Sequence, residues 1–209
     1  HHLNQSRSKR IIWLLEELEI DYEIIPYQRN PQTRFAPPEL TAIHPLGKSP
    51  VIEDDEGALV VAESGAITEY LIGRYGADPL APPADSAAYI SYLQWLHFAE
   101  GSAALPMLLG YFLHLDGTET RFLHKYAARE IDKILRYLDT IVTDQPYLVG
   151  EQFTGADILN SFVLEMNHRR TQLADYPALQ TYWERITARP AWEKACELEA
   201  KYDTTVASN

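Results

Sequence analysis

Gly47-Lys48-Ser49-Pro50-Val51-Ile52-Glu53-Asp54-Asp55-Glu56-Gly57-Ala58-Leu59-Val60-Val61-Ala62-Glu63-Ser64-Gly65-Ala66-Ile67 decides how the first third of this chain folds. Two short strand candidates, 49–53 and 58–62, flank a tight-turn composition and predict an antiparallel hairpin. A helix is expected directly after it, from Ser64 to about Tyr75. Upstream, Ser8 to Leu18 has the spacing of an amphipathic helix, with Ile11, Ile12, Leu14, Leu15 and Leu18 apolar. Tyr22-Glu23-Ile24-Ile25 reads as a strand, and Pro37-Pro38-Glu39-Leu40 opens a short helix whose first turn tolerates proline. With Leu3 ending a first strand, the order is βαβαββα, a four-stranded mixed sheet with helices on its faces.

Outward from this segment the pattern changes. Gly76 to Ala84 is dominated by proline and small residues and reads as a linker. After it the spacing is helical throughout, over 85–115 with Pro106 as a break or kink, then 118–143, 154–169, 178–188 and 190–201. The expected organisation is an α/β domain at 1–76, a linker at 77–84 and an all-helical domain at 85–209. A few residues are expected before His1, because the visible first strand is short.

Composition narrows the partners. The chain has 209 residues and a formal net charge of -12. A diffuse acidic surface repels phosphate backbones and anionic lipid, so neither nucleic acid nor membrane is expected as a partner. No apolar run approaches the ~18 residues of a membrane span. The one cysteine, Cys196, permits no internal disulfide and no Cys-x-x-Cys pair, which suits a reducing, cytoplasmic setting.

Four motifs carry candidate chemistry, and each also has a plain structural reading. In Asn4-Gln5-Ser6-Arg7-Ser8-Lys9-Arg10, three cations crowd the start of a helix, where the dipole disfavours them unless an anion is held there. A serine cap with solvated basic side chains also accounts for it. In His44-Pro45-Leu46-Gly47-Lys48-Ser49-Pro50, a cis Ser49–Pro50 bond would turn the Ser49 main chain outward to pair with an extended peptide. A trans proline in an ordinary loop accounts for it equally. Ser64 is expected as a helix N-cap, with N–H groups suited to a carboxylate and Glu63 beside it suited to an ammonium. A simple cap is the alternative. Phe153-Thr154-Gly155-Ala156-Asp157 reads as structural, a capping box with Phe153 as hydrophobic staple.

In order and spacing, Ser6 at the helix opening, Gly-Lys-Ser-Pro at 47–50, Glu-Ser-Gly-Ala-Ile at 63–67, the Pro-rich linker, Phe-Thr-Gly-Ala-Asp at 153–157 and Arg189-Pro190-Ala191 together resemble cytosolic glutathione transferases. The resemblance covers nearly the whole chain. Asn-Gln-Ser-Arg-Ser with Trp13-Leu14-Leu15-Glu16-Glu17-Leu18, and Ala-Pro-Pro-Glu-Leu with His-Pro-Leu-Gly-Lys-Ser-Pro, resemble the bacterial and fungal Gtt-type members most.

The resemblance implies a thioredoxin-like glutathione-binding domain followed by an all-α helical bundle. It implies Ser6 as the hydroxyl that activates the glutathione thiol, with Asn4 and Ser8 as neighbouring alternatives. Ser49 would pair by backbone ahead of cis-Pro50, Lys48 would reach the glycine carboxylate, and Glu63 and Ser64 would hold the γ-glutamyl amine and carboxylate. Glutathione is implied as co-substrate, with no resident cofactor or metal, and the protein as a homodimer. The second substrate, a hydrophobic electrophile, is expected between the domains, with His97, Met107, Leu108 and Tyr111 as candidate wall residues. These four residues also read as core. The implied activity is conjugation of glutathione to electrophiles, with peroxidase activity beside it. A glutathione-dependent disulfide reductase and a non-catalytic interaction module on the same fold are the alternatives.

Overall fold

The computed structural model describes residues 1–55, 57–76, 80–117, 119–171 and 173–204, the side chains of 168–171 apart. Along the chain the elements are β1 (His2–Leu3), α1 (Lys9–Glu17), β2 (Pro26–Tyr27), α2 (Leu40–Ile43), β3 (Val51–Asp54), β4 (Leu59–Ala62), α3 (Ser64–Tyr75), α4 (Ala87–His97), α5 (Ala104–Asp116), α6 (Leu123–Asp144), α7 (Gly155–Thr171), α8 (Pro177–Thr187) and α9 (Pro190–Tyr202). A π-helical segment, Phe98–Ala103, joins α4 to α5. The chain divides into two compact units, His1–Ala77 with Ala188–Asn209, and Asp78–Thr187.

Unit 1 has the βαβαββα order of a thioredoxin-like domain. The hairpin forms as expected, β3 against β4 in antiparallel register from Val51↔Ala62 to Asp54↔Leu59. β1 and β2 pair in parallel, His2 with Pro26 and Leu3 with Tyr27. The four strands thus stand as two two-stranded ladders rather than one continuous sheet. The main-chain nitrogen of His1, donating to the Val51 carbonyl at 2.9 Å, bridges them. The expected strand at Tyr22–Ile25 is irregular, and the ladder falls on Pro26–Tyr27 instead. Its place is set by the partner: His2 N–H donates to Ile25 O and Asn4 N–H to Tyr27 O. Alternation marks a segment able to extend, but only the neighbouring strand decides which residues pair.

The first turns of α1 are buried all round, from Lys9 to Leu14, with Trp13 fully inside. A helix buried on every face must be covered on more than one side. Here α3 packs on one side and α9 on another. The rings of Trp13 and Trp192 meet edge to face at 4.8 Å. Arg189 closes a bidentate pair with Glu17, both contacts at 2.6 Å. Of the segment expected in the helical domain, the described residues 188–204 instead pack with the N-terminal unit. Of the expected linker 77–84, residues 77–79 lie outside the described residues, and the buried Leu80 accepts from Gly155 N–H at 2.8 Å.

Unit 2 is helical, and its core gathers Tyr92, Trp95, Leu138, Ile158, Leu159 and Tyr182. Pro106 neither ends nor breaks its helix. It lies in the first turn of α5, where a missing N–H costs little, directly after the π-helical segment. The helix expected from 118 begins at Leu123, residue 118 itself lying outside the described residues. Gly117 ends α5 in the left-handed conformation at φ 67°, and the Thr120 hydroxyl accepts from His124 N–H at 3.1 Å. The Thr154–Asp157 box forms as read. The Asp157 carboxylate accepts from Thr154 N–H at 2.8 Å and also from Leu148 N–H and the Tyr182 hydroxyl. Burial pushes Asp157 up, and these donors pull against that push.

Candidate functional site

The start of α3 departs from a simple cap. The N-cap position is Glu63, not Ser64, and no side chain caps the helix there. Glu63 holds φ 69° and ψ 123°, a left-handed backbone that a non-glycine residue adopts at a cost of order 1–3 kcal/mol. This geometry leaves the Glu63 side chain exposed and buries Ser64 as the first helical residue. The Ser64 hydroxyl accepts from Arg10 Nη2 at 3.1 Å. With no side-chain cap, the first N–H groups of α3 suit an anionic group.

The loop before β3 contains a cis Ser49–Pro50 bond. Ser49 is anchored through its hydroxyl, which donates to His1 O at 2.8 Å and accepts from Leu3 N–H at 3.2 Å. Among the described residues, the main-chain groups of Ser49 have no hydrogen-bond partner. A fixed side chain with an unclaimed main chain is what β-type pairing to an extended peptide requires. Lys48 is exposed, and among the described residues neither it nor Glu63 makes an ion pair. Gly47 holds φ 56°, and a Cβ there would meet Thr41 Cγ2 at 2.7 Å, so both the turn and the packing call for glycine.

Ser6 stands two residues before Ser8, the N-cap position of α1. It is half-buried, follows Gln5 at φ 51°, and its hydroxyl lies 2.8 Å from the Ser8 hydroxyl. Of the neighbours kept as alternatives, both are buried. Asn4 is spent on Arg29 N–H and Asp203, and Ser8 faces His2 at 2.8 Å. Ser6 is the more accessible of the three.

Lys48, Ser49, Pro50, Glu63 and Ser64 line one depression of unit 1, of ≈ 60 Å³. Arg7, one of the cations expected to hold an anion at the start of α1, lines it as well, together with His44 and Leu46, for which the sequence suggests no role. His44 does open the motif that ends at the cis-proline. Ser6 is not in the wall but precedes Arg7, which is. A larger cavity of unit 1, ≈ 760 Å³, has a mixed wall, aliphatic residues of α1, β3 and the 20–25 segment standing beside acidic and aromatic ones. Of the residues named for the site, Pro50 lines it together with Ser8, the alternative to Ser6, and His2 stands beside them in the wall, while Lys48, Ser49, Glu63, Ser64 and Ser6 do not, so size does not mark the site.

The four residues expected to wall a second-substrate pocket all fall in unit 2 and differ in kind. Met107 is 2% exposed and its sulfur accepts from Asn167 Nδ2 at 3.0 Å, so it belongs to the core and not to an open wall. Leu108 and Tyr111 are half-buried, and His97 is exposed at the end of α4. Cys196 is half-buried on α9. Among the described residues, no cluster of His, Cys, Asp and Glu could hold a metal ion, and no helix is long and apolar enough to cross a membrane.

A thioredoxin-like unit with a cis-proline loop, joined in sequence to an all-helical unit, defines the class of two-part thioredoxin-like proteins. The family models for the N-terminal and C-terminal domains of glutathione S-transferase match residues 1–73 and 100–190. Glutathione S-transferase 1 of Saccharomyces cerevisiae is 34% identical, covering 94% of this chain and 93% of its own length. The disulfide-bond oxidoreductase YfcG of Escherichia coli is 32% identical, covering 89% of this chain and 88% of its own. The crystal structure of a glutathione S-transferase from Actinobacillus pleuropneumoniae superposes with a TM-score of 0.84 at 35% identity, covering 99% of this chain and 94% of that one. This chain belongs to the glutathione S-transferase family, and its fold and class of enzyme are those of a glutathione transferase.

Proposed function

We propose that this protein ionises the thiol of glutathione and transfers the sulfur to electrophilic small molecules, with reduction of peroxides as a second reaction. The observation that carries the reading is the convergence on one depression of the cis Ser49–Pro50 loop, Lys48, Glu63 and Ser64. Glutathione offers a main chain for Ser49, a glycine carboxylate for Lys48, and an amine and a carboxylate for Glu63 and the Ser64 helix start. Ser6 is assigned to the sulfur.

A free cysteine thiol has a pKa near ~8.5, so little of it is ionised at neutral pH. Serine is no base there, but its hydroxyl can donate to a thiolate. Lowering the thiol by about two units requires roughly 2–3 kcal/mol. One charge-assisted hydrogen bond supplies about 1.5–3 kcal/mol, and the α1 start with Arg7 adds positive potential. The thiolate then forms a carbon–sulfur bond as the electrophile's leaving group departs with the bonding pair.

The electrophile is assigned to the α4–α5 region, where His97 is exposed and Leu108 and Tyr111 are half-buried. A homodimer acting in detoxification in the cytoplasm completes the reading, supported by the family. Ser6→Ala tests it. Glutathione binding is expected to persist while the bound thiol pKa rises by about two units, followed by thiolate absorbance. An unchanged titration removes Ser6 from its role. A second reading, glutathione-dependent disulfide reduction, is favoured by the similarity to the oxidoreductase YfcG. With Cys196 on α9, that reaction would use two glutathiones. Turnover on an aryl halide, a peroxide and a disulfide in parallel separates the reactions.

A further inference from the structure

His2 is a buried histidine that the proposed chemistry leaves unused. It is 2% exposed, and its Nδ1 lies 2.8 Å from the Ser8 hydroxyl. Ser8 Oγ in turn lies 2.8 Å from Ser6 Oγ and 3.3 Å from Leu3 O. A continuous hydrogen-bonded chain therefore runs from a buried imidazole to the hydroxyl assigned to the sulfur.

The direction of that chain depends on the imidazole tautomer. A hydroxyl has one hydrogen and two acceptor lone pairs. With the proton on Nδ1, His2 donates to Ser8, and the Ser8 hydrogen goes to the closer Ser6 oxygen. Ser6 Oγ also accepts from Ser8 N–H at 3.2 Å. Both of its lone pairs are then occupied, and its own hydrogen is free to point away. With Nδ1 bare, Ser8 donates to His2 instead and the Ser6 hydrogen turns inward to Ser8, while the Ser8 N–H still donates to Ser6 Oγ. The surroundings of Nε2 decide between the two: it is buried and has no partner among the described residues. A buried acceptor without a partner is tolerated better than a buried N–H without one. The network thus assigns the proton to Nδ1.

We infer that His2 is a positioning residue for thiolate formation, setting the Ser8 and Ser6 hydroxyls so that Ser6 presents its hydrogen to the glutathione sulfur. This rests on the assignment of Ser6 to the sulfur. The alternative, in which the thiol proton travels down the chain to His2, is disfavoured by the same burial. Burial pushes the imidazole down to about 4, against Asp203 and with Lys9, so His2 cannot keep that proton at neutral pH. It acts as a neutral donor, not as a base.

The test is a titration of bound glutathione, by thiolate absorbance, in wild type, His2→Leu, His2→Asn, Ser8→Ala and Ser6→Ala. His2→Leu and Ser8→Ala are expected to raise the bound thiol pKa by about one unit, with glutathione affinity unchanged. His2→Asn, whose amide can donate from the Nδ1 position, is expected to restore most of the shift. The inference is overturned if Ser6→Ala raises the pKa while His2→Leu and Ser8→Ala leave it at the wild-type value, an outcome that leaves the Ser6 assignment standing. It is also overturned if Asn and Leu at position 2 behave alike, because the effect is then one of packing. If Ser6→Ala itself changes nothing, the assignment beneath the inference falls, and the inference falls with it.

Discussion

Arg10 reaches from the first turn of α1 to donate to the Ser64 hydroxyl at the first turn of α3, at 3.1 Å, from a side chain 2% exposed. The same guanidinium also donates through Nε to Arg7 O at 3.4 Å. One buried cation thus holds together the turn that carries Ser6 and the helix start that carries Ser64.

Removing this link should therefore loosen the ligand site itself. Arg10→Ala is expected to weaken glutathione binding about tenfold, roughly 1.4 kcal/mol, beyond any loss of stability. Calorimetry with glutathione at a temperature where the variant is folded checks this. Unchanged affinity would place Arg10 in the scaffold alone.

The buried His2 makes a pH prediction with a definite sign. Its pKa falls from 6.5 in the unfolded chain to about 4 in the fold, chiefly through burial. Between those values the unfolded chain holds a proton that the folded one does not, so acid favours unfolding. The contribution is fully present above 6.5 and is lost as pH falls toward 4. Its full size is about 3 kcal/mol. His2→Asn, which does not titrate, should lose stability less steeply over that window, as denaturant melts of the two proteins would show.

Lys9 and Glu199 form an ion pair at 3.2 Å with side chains 4% and 14% exposed, and the Lys9 ammonium lies 4.5 Å from the Trp192 ring centroid. Removing one member leaves a buried charge without its counterion, which is costlier than removing both. Lys9→Met should cost about 3 kcal/mol, and the Lys9→Met/Glu199→Leu double variant should return to within about 1 kcal/mol of wild type. A double-mutant cycle by chemical denaturation measures the difference.

Local chemistry was legible wherever one segment contained its own explanation. The 54–57 turn placed the β3–β4 hairpin, and the Thr154–Asp157 box placed the start of α7. The α3 boundaries, Ser64 to Tyr75, were readable because a strand ended and an apolar period began at the same residue. What failed needed a partner. Tyr22–Ile25 looked like a strand, but β1 pairs at Pro26–Tyr27. Met107 read both as a pocket wall and as core, and its burial beside Asn167 decided for the core. Ser64 looked like a cap, but the backbone of Glu63 takes the N-cap position and leaves Ser64 to Arg10.

The chain alone therefore determined the order of elements, the kind of each unit and the residues around the cis Ser49–Pro50 loop, because turn chemistry, proline and hydrophobic period act over a few neighbouring residues. Only the tertiary structure decided that α9 returns to cover α1 and that His2 stands behind Ser8 and Ser6. Those relationships join residues through packing and buried hydrogen bonds whose partners no local pattern names.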